Sequence, residues 1–261
     1  MRVIIGSEAL AAGMVTRNDL RRRYTRMFPD VYGPPKPTIR ERARGAWLWS
    51  GRRGVIAAVA ASALHWAKYV DDDVPIELLW RNGRPPSGLI VRNEIYAADE
   101  VTTYDGIPLT TPARTIFDLG RHLNRDAAVA RIDALLWLGR VGVPDVEPIA
   151  ARYPWARGVE KLRVALELAD DGAESPRESR LRLLLTDAGM RPTDTQIPVY
   201  EGQPADHQVR HGLEATANRG AVRGKAPSDR SWAACIRPAG AAKARSEKLD
   251  RRQGHQGRHR Q

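Results

Sequence analysis

With one cysteine in 261 residues, Cys235, the chain has no material for an internal disulfide framework, and a reducing, cytoplasmic setting is expected. Long apolar runs are also missing. The longest, residues 55–67, is interrupted by Ser62 and His65. It is too short to span a bilayer, so it reads as a buried helix, and a membrane is not an expected partner. The opening residues MRVIIGSEALAAG lack a charged region leading into a long apolar stretch, so no secretory leader is expected. Residues 38–140 show no nucleophile–base pair, no Gly-rich phosphate loop and no metal-ligand spacing.

Positive charge is in surplus. The net charge is +11, and surplus Arg and Lys most often neutralise phosphate, which makes DNA the expected partner. The surplus is uneven. Residues 204–261 carry 13 Lys plus Arg against 5 Asp plus Glu, a net +8, and the other 203 residues only +3.

Along the chain, residues 7–13 fit a short helix stopped by Gly13. "TRNDLRRRYTRMFPDVYGPP" then starts a second helix, with Thr16 as N-cap and Asp19 at the third position. Leu20 and Tyr24 share one face, and Arg17, Arg21, Arg22, Arg23 and Arg26 surround them. Pro29 is read as the stop, and "DVYG" as a short strand. Helix, basic helix, strand is the outline of an abbreviated winged helix. The five arginines are therefore candidate phosphate contacts, set against a merely solvated basic face.

Thr38 and Glu41 form a T-x-x-E capping box, and "VIAAVAASALHWAKYV" follows as an alanine-rich helix. His65 in that run reads as a core histidine with a hydrogen-bond partner. "VPIELLW", "SGLIVRN" and "EVTTYDGIPLT" are short strands between turn signals. Thr111–Pro112 and Asn124 each begin a helix, and Ala128, Ile132, Leu135 and Leu136 mark the buried face of the second. Two more helical stretches lead to "SPRESRLRLLL". There Ser175, Pro176 and Glu178 form an S-x-x-E box, with Leu181, Leu184, Leu185 and Ala188 as the apolar face. On this pattern Glu178 returns a hydrogen bond to the Ser175 backbone.

The strings "GSEALAAGMVTRNDLRRRY", "DEVTTYDGIPLTTPARTIFDLGRHL" and "SPRESRLRLLLTDAGMRPTDTQIPV" resemble actinobacterial proteins. These join an N-terminal AbiEi-type antitoxin domain to a C-terminal very-short-patch-repair-like endonuclease domain. The resemblance implies a DNA-binding repressor segment, an antitoxin domain and a cognate toxin as partner. It also implies a restriction-endonuclease-like fold beginning at Ser175, in which Glu178 matches a helix glutamate. In intact relatives that residue joins strand carboxylates around Mg²⁺, which activates water for attack on a phosphodiester.

This chain departs from that pattern at about Gln203. Among the 58 residues from Pro204, seven are apolar and not alanine, too few for a core. Read one base later, residues 209–230 admit a peptide with the family's D-M-G-W and Y-E-G, so a frameshift is expected near Gln203. The expected fold class is α+β: a winged-helix-like segment (1–37), a small α+β domain (38–142) and a helical connector (143–174). After these come an incomplete endonuclease-like start (175–203) and a disordered basic tail (204–261). The expected function is an antitoxin-like regulator with an inactive nuclease remnant, Glu178 being vestigial and no cofactor required. The alternative is a metal-dependent endonuclease using Glu178.

Overall fold

The structure, a computed structural model, describes residues 1–81, 84–192, 194–199 and 207–212. These lie in one compact unit, Met1–Glu214. It is an α+β fold. The N-terminal part runs β1 (Ile4–Ile5), α1 (Gly6–Ala11), α2 (Arg17–Arg23), β2 (Thr25–Phe28) and β3 (Val31–Gly33), with the strands ordered β1-β3-β2, all antiparallel. Next come α3 (Ile39–Trp49), β4 (Val55–Ala57), α4 (Ala58–Leu64), β5 (Ile76–Leu79) and β6 (Leu89–Arg92). A 3-10 turn (Ala98–Glu100) precedes the hairpin β7 (Val101–Tyr104) and β8 (Ile107–Thr110). The five strands form a mixed sheet, β6-β5-β4-β8-β7. Asp105 and Gly106, both at positive φ, make the tight β7–β8 turn that the Asp-Gly pair demands.

The expected helix over 55–67 begins as a strand. Val55, Ile56 and Ala57 form β4, between β5 and β8, and the helix occupies only Ala58–Leu64. A fully buried strand and a buried helix give the same unbroken apolar run, so periodicity alone does not separate them. The helix after Thr16 likewise stops at Arg23, before Pro29. Tyr24 is extended, and residues 25–28 join the sheet through β3.

Two apolar clusters organise the unit. The first joins Val3, Phe28 and Val31 to Ala43 and Ala46 of α3 and to Ile56, Ile76, Leu78 and Leu109 of the sheet. Burying each of these larger side chains contributes about 1.5–3 kcal/mol. The N-terminal strands thus share a core with the sheet, and the boundary read at 37/38 is not a break in packing. The second cluster lies among α5 (Pro112–His122), α6 (Arg125–Leu136), α7 (Val143–Arg152), α8 (Val159–Leu168) and α9 (Pro176–Asp187). Val146, Leu162 and Leu183 are buried together with Ile116 and Ile132. Residues read as a connector and as the start of another domain therefore complete one helical layer.

A hairpin of β9 (Asp194–Val199) and β10 (His207–Gly212) follows, with Val209 opposite Ile197. This corrects the disordered assignment for 207–212. Main-chain hydrogen bonding to β9 makes a strand there without the alternation that would signal one in sequence. The rest of the tail, Cys235 and most of the frameshift segment lie outside the described residues. Among the described residues, no helix is long and apolar enough to cross a membrane.

Candidate nucleic-acid interface

The basic helix α2 is fixed at its start by a reciprocal cap. The Asp19 amide donates to Thr16 Oγ1 (3.1 Å), and Asp19 Oδ2 accepts from the Thr16 amide (2.9 Å) and hydroxyl (2.6 Å). The Thr16 hydroxyl, then its amide, hold the Asp19 carboxyl below the usual carboxylate range. Leu20 is the buried anchor. Arg17, Arg21, Arg22 and Arg23 are exposed on the helix, and Arg26 is exposed on β2 rather than on the helix as expected. Sheet pairing at Thr25 ends the helical turn before Arg26 is reached. Among the described residues Arg23 pairs with Asp19 at 3.9 Å, and Arg17, Arg21, Arg22 and Arg26 are in no ion pair. Three cations in the last turn also complement the helix dipole, which is the structural reason for their being there.

The turn after β2 is tied to α1. Asp30 accepts from the Ser7 amide (3.0 Å) and hydroxyl (2.5 Å), and its carbonyl accepts from the Gly6 amide (2.8 Å). A Cβ on Gly6 would lie 2.5 Å from the Tyr32 ring, so this close seat requires glycine.

Glu178 is buried at the start of α9. Its oxygens accept from the Glu174 amide (3.0 Å) and the Ser175 hydroxyl (2.8 Å), and the Glu178 amide donates to Ser175 Oγ (3.4 Å). The returned bond therefore reaches Glu174, one residue earlier than the Ser175 backbone expected from the box. The apolar face assigned to α9 is also corrected. Leu181 and Leu184 are 47% and 59% exposed, and Glu178, Ser179, Arg182 and Leu183 are buried.

The reason is Asp133 of α6. Its Oδ2 accepts from Arg182 (2.5 Å) and Ser179 (2.6 Å), and its Oδ1 from the Asp170 amide (2.8 Å). Burial pushes the Asp133 carboxyl up to about 6 against the pull of Arg182 and Ser179. A buried carboxylate must be matched by donors, so α9 turns its polar side inward. Among the described residues no group of three His, Cys, Asp or Glu side chains is placed to hold a metal.

A larger charge network escaped the sequence reading. On α5, Arg114, Asp118, Arg121 and His122 share the buried face at i, i+4, i+7 and i+8. Arg114 donates to Asp118 (3.1 Å), to the Ile95 carbonyl (3.1 Å) and to Glu100. Arg121 pairs with Glu94 and with Asp118 (3.2 Å), and His122 Nε2 meets Glu94 Oε1 at 3.0 Å. Arg152 and Tyr153 at the end of α7 bind the other Glu100 oxygen. Burial alone would raise the Glu94 carboxyl, but His122 and Arg121 outweigh it and hold it at about 2. One helix thus clamps the loop after β6, the 3-10 turn and α7 together. Ionisable residues at helical spacing inside an otherwise apolar helix were the available signal.

His65 meets the reading made of it: its Nε2 lies 2.7 Å from the Thr110 carbonyl, and burial lowers its basicity.

Residues 60–168 match the family model of the AbiEi antitoxin C-terminal domain. That span begins in α4 and ends with α8, and it contains the whole α5 network. Two uncharacterized proteins, from two strains of Mycobacterium tuberculosis, are each 29% identical over 177 residues, covering 67% of this chain and 64% of their own. The chain thus spans less than two thirds of the length of these curated relatives. No solved structure matches it.

Proposed function

We propose that the chain is a DNA-binding antitoxin of the AbiEi type, acting in a toxin–antitoxin pair. The match over residues 60–168 carries the reading, and the five exposed arginines around α2 supply the DNA-facing chemistry. In this reading α1, α2 and the β2–β3 hairpin act as an abbreviated winged helix. Arg17, Arg21, Arg22, Arg23 and Arg26 neutralise phosphates along one groove, and the five-stranded sheet with helices α3–α8 forms the antitoxin domain.

The stretch from Ser175 is a nuclease remnant without activity. Glu178 is a helix-start residue there, which its engagement by Glu174 and Ser175 supports. No cofactor is required, and the cognate toxin is the protein partner.

A mobility-shift titration against the DNA upstream of the gene tests the first half. The Arg21→Ala, Arg22→Ala, Arg23→Ala triple variant is expected to bind at least about tenfold more weakly, with a salt slope shallower by about 1 for each phosphate left without its arginine. Equal binding by that variant sinks the α2 assignment. Co-expression with the neighbouring toxin gene tests the second half: growth must be rescued by the full chain. A plasmid-nicking assay with Mg²⁺ compares the protein with Glu178→Ala, and cleavage abolished by that change would replace the regulator reading with the endonuclease one.

A further inference from the structure

Above the α5 network two adjoining clefts, of about 450 and 670 Å³, share Asn93, Glu94, Arg121 and Arg157. Their rim and floor differ in a telling way. In the floor the guanidiniums of Arg114 and Arg121 are matched by Glu94, Glu100 and Asp118, and Arg152 at the edge is matched by Asp99 and Glu100. At the rim Arg157 and Lys161 are exposed, and among the described residues neither is in an ion pair.

They flank the first turn of α8, a ten-residue helix whose N-cap, Gly158, offers no side chain to its amides. Gly158 sits at φ 86°, and a Cβ there would lie 2.6 Å from the Arg121 carbonyl, so this helix start is pressed directly onto α5. Beside it Trp155 is 96% exposed, and across the cleft Ile95 is 75% exposed. In the floor Nε of Arg121, a side chain 5% exposed, has no hydrogen-bond partner among the described residues.

Unpaired cations beside a helix start with no side-chain cap form an anion site. The Val159 amide there already donates to the Ala156 carbonyl, and Glu160 in the same turn is paired with Arg163. An uncovered indole next to them offers a stacking face for a planar ring. We propose that this cleft binds a nucleotide, with its phosphates between Arg157, Lys161 and the start of α8, and its base against Trp155. A carboxylate-rich peptide would satisfy the cations but leave the indole unused. The ligand is a free nucleotide or one nucleotide of a single strand, since both bring the same phosphate and ring. Nothing in this assignment depends on α2.

Isothermal titration of the full chain tests it, with ATP, GTP, CTP, UTP, pyrophosphate and a short single-stranded oligonucleotide as probes. At least one probe is expected to bind with a Kd below about 1 mM. The Arg157→Ala, Lys161→Ala double variant, changed only at exposed positions, is expected to weaken that binding by about tenfold or more. Trp155→Ala is expected to weaken nucleotides and leave pyrophosphate unchanged. Saturation by mononucleotides assigns the free ligand, and binding by the oligonucleotide alone assigns a unit of a strand. No binding by any probe, or binding that both variants leave intact, overturns the proposal. The α2 triple variant serves as the separating control: it is expected to lose DNA binding and keep the nucleotide response.

Discussion

Helices α4 and α5 pack against each other, yet they are buried by opposite means. The α4 sequence, AVAASAL, presents methyl groups, and Ala60, Ala61 and Leu64 are almost wholly inaccessible. Its contacts are non-directional, and its neighbours lie close because the side chains are small. On α5, Arg114, Asp118 and Arg121 are buried just as deeply, and each contact has a required angle and partner. Apolar burial fixes where a helix lies. Paired charges also fix which loops it holds, and they leave a large penalty if one partner is removed.

The largest break in that comparison is expected from Arg114→Ala, which takes one of two arginine partners from each of Glu100 and Asp118 in the interior. A loss of about 3–5 kcal/mol is expected, read as a shift in the urea midpoint. Leu64→Ala on the apolar helix is expected to cost about 2–5 kcal/mol, with the same loss at pH 4 and pH 7.

Acid separates the charged regions further, and here the signs oppose. Glu94 is held at about 2, below its ordinary 4.5, so its stabilisation is full above that value and disappears as pH falls from there through 2. Asp133 sits at about 6, above its ordinary 3.8. Its contribution is full below that value and is lost as pH rises through 6. Urea midpoints across pH 2–7 are expected to show a shallower acid slope in Glu94→Gln and an unchanged one in Leu64→Ala, because Asp19, Asp99 and Asp187 are also held below the usual carboxylate range; an unchanged slope in Glu94→Gln contradicts the clamp.

A smaller effect is expected at the α5 cap, where Thr111 Oγ1 accepts from the Arg114 amide at 3.3 Å. Thr111→Ala is expected to cost about 1 kcal/mol by thermal melting. Smallest is Leu184→Lys on the outer side of α9, within about 0.5 kcal/mol. A loss of several kcal/mol there would show that Leu184 is covered after all.

The sequence was most legible where cause and effect lie within four residues. Thr16 with Asp19, Thr38 with Glu41, Thr111 with Pro112, and Asn124 all start helices where their side chains say they should. Asp105-Gly106 turns the chain as expected. Legibility fell where the partner is distant. Glu94 and Glu100 lie 27 and 14 residues from the arginines they neutralise, and Asp133 lies 49 from Arg182. Without those partners the leucines of α9 were the natural inward face, and β4 was natural helix. Exposure of Arg17, Arg21, Arg22 and Arg23 was readable from their spacing around Leu20. The placement of Arg26 on a strand was not, because it depends on pairing with β3.

The Ser7–Asp30 pair has a mechanical consequence. Because Asp30 grips both the hydroxyl and the amide at the head of α1, the β2–β3 turn and that helix form a single lever. A push on the turn is passed to the head of α1, which residues 12–16 join to α2. Ser7→Ala cuts that linkage at one point, 23 residues from the turn it steers.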